Sequence, residues 1–122
     1  MPAPQQLEYF LLQYAPNLLS DEHINVGVVL WMPSDLPNGF CTARFSSSWR
    51  VRVKNLSQKE DLILLAALFE DIERCLASPE SRVEMLAMMQ DSFSNMIRVS
   101  EIQKCVSQDP AMEIETIVAR YL

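Results

Sequence analysis

Apolar and polar positions fall into short alternating runs over the first third of the chain and into helical stripes over most of the rest. Residues 7–14 are aromatic or aliphatic at nearly every position, which predicts a β-strand with both faces partly covered. Pro16 and Asn17 break that run, and Ser20, Asp21, Glu22 and His23 read as a polar turn. A second strand is predicted over residues 24–32. Strict two-residue alternation puts Ile24, Val26, Val28, Leu30 and Met32 on one face and Asn25, Gly27, Val29 and Trp31 on the other. Pro33 ends it, because proline has no N–H to give to the ladder. Pro37, Asn38 and Gly39 signal a turn, after which residues 40–45 make a third strand. No connection is long enough for a parallel crossover, so the expected arrangement is an antiparallel meander.

Residues 49–54 admit two readings. Trp49, Val51 and Val53 alternate with Arg50, Arg52 and Lys54 as an exposed strand would, and a short helical turn also accommodates them. Beyond this point the helical period takes over. Ser57 and Glu60 form a capping box ahead of the apolar stretch 62–76, which is apolar over most of its circumference and so predicts a central helix packed on the sheet. Ser78 followed by Pro79 opens a second helix bearing Val83, Met85, Leu86, Met88 and Met89. Residues 96–99 return to the sheet as a short strand. Asp109 followed by Pro110 repeats the cap signature, and Ile114, Ile117, Val118 and Tyr121 give a last helix its apolar stripe, with Arg120 suited to the negative end of the dipole. The elements together predict an α+β fold: a small antiparallel sheet of three to four strands with about three helices packed on one face. A single domain is expected over residues 1–122, with residues 1–6 as a flexible arm.

Composition narrows the function classes. The 122 residues are 49% hydrophobic and 21% charged, enough for a core and too evenly charged for a disordered chain. A net charge of −6 opposes general binding to nucleic acid or to an anionic membrane, each of which needs a positive field. Cys41, Cys75 and Cys105 are widely spaced and form no CxxC pair, which fits free thiols in a reducing cytoplasm. The start of the chain shows neither the basic nor the apolar region of a signal peptide, and no apolar run approaches the ~20 residues of a membrane span. Gly27 and Gly39 are the only glycines, so no phosphate-binding loop or dinucleotide fingerprint can be written. No cofactor or metal is expected.

The segment YFLLQYAPNLLSDEHINVGVVLW, with Glu22, Asn25 and Gly27 in its polar link and second strand, resembles the bacterial domain of unknown function 3037 family. Asp109-Pro110 followed by EIETIVARYL is similar to the family's closing helix, while His23 stands where the family carries an aromatic or aliphatic residue. The resemblance implies no particular activity. It implies an accessory or partner role in bacteria, with a HipA-like kinase as the partner to consider.

Four constellations bear on chemistry. Asp21, Glu22 and His23 read either as a metal or acid–base cluster or as a solvated turn, and neighbours on an extended chain point apart, which favours the turn. Asn25 and Gly27 read as a small-ligand or peptide site, or as a kink that seats the first helix. Arg44, Arg50, Arg52 and Lys54, with Phe45 and Trp49 nearby, make the one basic cluster of an acidic chain, suited to an anion or an acidic partner surface or serving as a solvated edge. Met85, Met88 and Met89 give an adaptable partner surface or plain core. The favoured expectation is a non-catalytic protein-interaction module in the cytoplasm, with Glu22, Asn25, Gly27, Arg50, Arg52 and Lys54 as binding residues and a homo-oligomer as a further option. The alternative is a small metal-dependent hydrolase or nucleic-acid-processing enzyme using Asp21, Glu22 and His23.

Overall fold

The structure is a computed structural model that describes residues 4–15, 23–36, 38–55, 59–91 and 97–122. Pro16, Asn17, Ser20, Asp21, Glu22, Pro37, Ser57 of the expected capping box and Met96 lie outside the described residues. The described elements are strands β1 (Gln5–Tyr14), β2 (Ile24–Trp31), β3 (Cys41–Phe45), β4 (Ile97–Val99) and β5 (Gln103–Ser107), and helices α1 (Trp49–Lys54), α2 (Lys59–Ala77), α3 (Pro79–Asp91) and α4 (Pro110–Tyr121). A single 3-10 turn, Pro33–Asp35, follows β2.

All pairings are antiparallel, in the order β3-β2-β1-β4, with β5 also on β1. The first three strands form the expected meander, and the α+β class stands. The last two strands share one side of the long β1, β5 beside Gln5–Tyr9 and β4 beside Leu12–Tyr14. Gln5 and Gln6, expected in the arm, are strand residues, because Ser107 and Val106 supply their backbone partners. β5 has no counterpart in the sequence reading: its residues QKCVS carry too few apolar positions to show a period.

Helices lie on both faces of the sheet rather than on one. Phe10, Leu12, Tyr14, Val29 and Trp31 pack with Leu65, Phe69, Ile72 and Leu76 of α2, Trp49 and Val53 of α1, and Leu86 and Met89 of α3. Leu7, Tyr9, Leu11, Val28 and Leu30 pack with Ile114 and Ile117 of α4. The cause is in β1 and β2, which are apolar on both faces, and an apolar face left in water costs roughly 25 cal/mol per Å². Among the described side chains of α2, Leu65, Phe69, Ile72 and Leu76 are buried as a stripe, while Ile63 and Leu64 stand exposed, so its apolar residues do not all face the core. In α3 the methionines divide: Met89 is buried, Met85 packs at the margin of the core and Met88 is exposed.

The expected alternation along β2 fails at one point. Leu12 pairs with Gly27 and Gln13 with Asn25, so Val26 is an extra residue in a β-bulge. Val26 joins Gly27, Val29 and Trp31 toward α2, and Asn25 turns toward α4, where its Nδ2 donates to the Tyr121 carbonyl at 3.5 Å. Asn25 and Gly27 therefore do not share a face. On the α4 side the Tyr9 and Tyr121 hydroxyls lie 3.5 Å apart. Burial first, and the bond to Tyr121 second, push the Tyr9 hydroxyl up to about 12, while Tyr121 is lowered by the bond from Tyr9 and ionises first.

Two polar side chains close gaps in this frame. Arg82 is buried, and its guanidinium donates to the carbonyls of Leu76 at 2.8 Å and Ala77 at 3.5 Å, capping α2, and to the carbonyl of Gly39 at 2.8 Å, in the turn that enters β3. Asp109 caps α4 as its sequence predicts, with Oδ1 accepting from the Met112 N–H at 3.3 Å and Pro110 at the first helical position. Among the described residues no helix is long and apolar enough to cross a membrane.

Candidate functional site

β3 ends at Phe45, and the chain turns at once into α1. Ser46 makes the turn: its N–H donates to the Val26 carbonyl at 2.8 Å, its hydroxyl accepts from the Ser48 N–H at 3.3 Å and its carbonyl accepts from Trp49 at 3.2 Å. Residues 49–54 are helix, because Trp49 and Val53, four apart, then reach the core together. At ~100° per residue this separates the basic cluster, leaving Arg50 and Lys54 on one side and Arg52 on the other. Arg50 lies over the Trp49 ring at 4.7 Å, and Arg52 donates to the Asn25 carbonyl at 3.0 Å. Lys54 is exposed at the end of α1. Arg44 points to the opposite face of the sheet, where it pairs with Glu115 of α4 at 2.8 Å.

Phe45, Trp49 and Phe69 form an aromatic wall above Gly27. The Phe45 and Phe69 rings stack at 4.3 Å, and Trp49 meets Phe69 edge-on at 4.8 Å. A Cβ on Gly27 would lie 2.8 Å from the Phe45 ring, so the missing side chain makes room for that wall. Beside it runs a surface cleft in two sections that share Glu73. The section near α1 holds about 280 Å³ between Phe45, Ser47, Trp49, Arg50 and Glu70, and the section near the start of β3 holds about 370 Å³ between Cys41, Ala43, Leu76 and Ala77. Burial pushes the Cys41 thiol up to about 11, which makes it an apolar lining group rather than a nucleophile.

The backbone of β3 faces this cleft. Met32 N–H donates to Phe40 carbonyl at 3.0 Å, and Ser46 N–H to Val26 carbonyl at 2.8 Å. Antiparallel pairing alternates, so with Leu30↔Thr42 and Val28↔Arg44 between those two bonds, Thr42 and Arg44 turn their main-chain groups toward β2. Cys41, Ala43 and Phe45 turn theirs outward, and β3 ends the strand order on that side.

A second polar region lies at the far end of β1. Gln13 donates to Asn25 Oδ1 at 3.1 Å, Arg98 donates to Gln13 Oε1 at 3.1 Å, and Arg98 Nη2 lies 2.6 Å from His23 Nδ1. Asn25 is thus tied into the sheet end while Gly27 floors the aromatic wall, and Glu22 and Asp21 are outside the described residues. Among the described residues no three His, Cys, Asp or Glu side chains come together in a metal-binding group. Sequence reasoning reached Phe45, Trp49 and Arg50 but missed Glu70 and Glu73, since nothing in a helical stretch names the strand its outer face will border.

The family described as "Protein of unknown function (DUF3037)" matches residues 9–122. No curated protein and no solved structure matches the chain.

Proposed function

The chain belongs to the DUF3037 family, and from that premise we propose that it is a non-catalytic protein-interaction module of the cytoplasm, holding its partner in the cleft between β3, α1 and α2. The observation that carries this reading is the composition of the cleft: three aromatic rings, an arginine and two glutamates beside an open strand edge. Aromatic and arginine side chains dominate binding energy at protein interfaces, and here the half-buried Phe45 and the exposed Arg50 border the cleft, seated on Phe69 and Trp49, which are themselves buried in the core. The resemblance noted above makes a HipA-like kinase the partner to look for first.

The test places a photo-cross-linker at Ser47, on the cleft, and separately at Val106, on β5, in cells of the native host. One protein species cross-linked in good yield from position 47, and absent from position 106, is the expected result. No cross-linked species from position 47 defeats the reading. A melting temperature raised by a divalent metal and insensitive to cleft substitutions would favour the metal-dependent alternative at residues 21–23.

A further inference from the structure

Resting on that reading, we infer that the cleft takes its partner as an added β-strand, and that the strand is basic. Cys41, Ala43 and Phe45 direct their N–H and C=O groups away from β2, and β3 is unbroken over five residues. A strand laid beside it at about 4.8 Å would satisfy these groups in register, which is the mode by which extended peptides bind exposed sheet edges. Natural sheets blunt such edges with lysine, proline, bulges or a covering helix. Here the one charged residue of β3, Arg44, is drawn to Glu115 on the other face, and the bulge lies in β2 instead.

The charge beside the strand edge names the occupant. On the α2 side of an added strand, alternate side chains would enter the cleft against Glu70 and Glu73, both exposed on the outer surface of α2. Arg50 and Arg44 border the same two sections, but Arg50 is seated on Trp49 and Arg44 is paired with Glu115. A lysine or arginine brought against Glu70 and Glu73 therefore still meets complementary charge, with its stem along Ala77 and Leu76. A second copy of this chain is the competing occupant, and two-fold pairing of β3 with β3 would bring Glu70 and Glu73 of two chains, each of net charge −6, together. Charge therefore selects an extended basic segment of another protein.

The experiment uses the full chain and peptides of about eight residues, the length of an ordinary strand. Three peptides alternate threonine with lysine, glutamate or serine, and two further copies of the lysine peptide carry N-methyl groups on one or the other set of alternate amides. The lysine peptide should bind about tenfold more tightly than the glutamate one, and Glu73→Lys should reverse that preference. Methylation of one set should abolish binding while the other set leaves it within about twofold, because a strand presents only every second amide to its neighbour. The amide signals of Cys41, Ala43 and Phe45 should move on binding and gain protection from exchange. Ala43→Pro, which removes an outward N–H and leaves the β2 pairing bonds, should lose the peptide. Equal binding of both charges, indifference to both methylation sets, absence of binding by the lysine peptide, or signals that move on β4 and β5 instead would each overturn the inference. So would a dimer of the pure protein that Ala43→Pro dissociates. A partner that cross-links at Ser47 but ignores the methylation pattern leaves the interaction-module reading standing and removes only strand addition.

Discussion

The two edges of the sheet handle the same hazard differently. The edge made by β4 and β5 is in two pieces, separated at residues 100–102. Ser100 stitches the break: its N–H donates to the Leu11 carbonyl at 3.0 Å, and its hydroxyl accepts from the Leu11 N–H at 2.8 Å, in place of a main-chain carbonyl. β1 thereby keeps its bonds while the outer strand bends, and Glu101, Gln103 and Lys104 stand exposed along it. Bends and charges of this kind discourage further pairing. The β3 edge has no break, its one charge is Arg44, which borders the cleft but pairs with Glu115, and it is anchored at both ends, by Arg82 on Gly39 before it and by Ser46 on Val26 after it. The fold thus interrupts one edge and braces the other, and of the two the braced one keeps the continuous form that strand addition needs.

Four substitutions or treatments break or sharpen this contrast. The largest effect is expected from Arg82→Ala, which leaves the carbonyls of Leu76, Ala77 and Gly39 without their buried donor and frees the entry to β3. A loss of about 3 kcal/mol is expected in urea unfolding, with Arg82→Lys restoring less than half, because an ammonium cannot span three carbonyls as a planar fork does. Gly27→Val follows at about 2 kcal/mol, since its Cβ presses on the Phe45 ring. The double variant with Phe45→Ala should cost less than the sum of the two single changes, and a strictly additive cycle would refute the contact. Ser100→Ala should cost about 1 kcal/mol, speed exchange of the Leu11 amide and leave the amides of β3 unchanged.

The smallest effect concerns the cysteine on each edge. Burial pushes Cys41 up to about 11 from an ordinary value of 9.0, and Cys105 is raised by burial first and then by Glu113. Alkylation of Cys41 by iodoacetamide should therefore climb about tenfold per pH unit past the ordinary thiol range. A folded value above the unfolded one means that the neutral thiol favours folding below pH 9.0, and that this contribution fades as the pH rises toward about 11. A strand bound at β3 should shield Cys41 from alkylation and leave Cys105 unaffected; equal shielding of both would place the ligand elsewhere.

Much of the fold was legible in residue pattern. The meander of β1, β2 and β3, the Asp109-Pro110 cap and the stripe of α4 follow from alternation, turn residues and capping chemistry, which act between near neighbours and so are written locally. β1 even carries the requirement for cover on both faces, in Leu7, Tyr9 and Leu11 against Phe10, Leu12 and Tyr14. What alternation could not foresee was the extra residue at Val26, which parts Asn25 from Gly27, because a bulge is set by which pairing the whole strand prefers. Nor could it assign residues 49–54, where helix wins because Trp49 and Val53 must reach one core. The candidate site divides the same way. Phe45, Trp49 and Arg50 lie close together in the chain, but Phe69, Glu70 and Glu73 join them only because α2 packs alongside β3, and the polar β5 becomes a strand only because β1 presents it an unpaired edge. Local chemistry is fixed residue by residue, whereas an open edge, a cleft and the charge that lines it exist only once distant segments share the same surface.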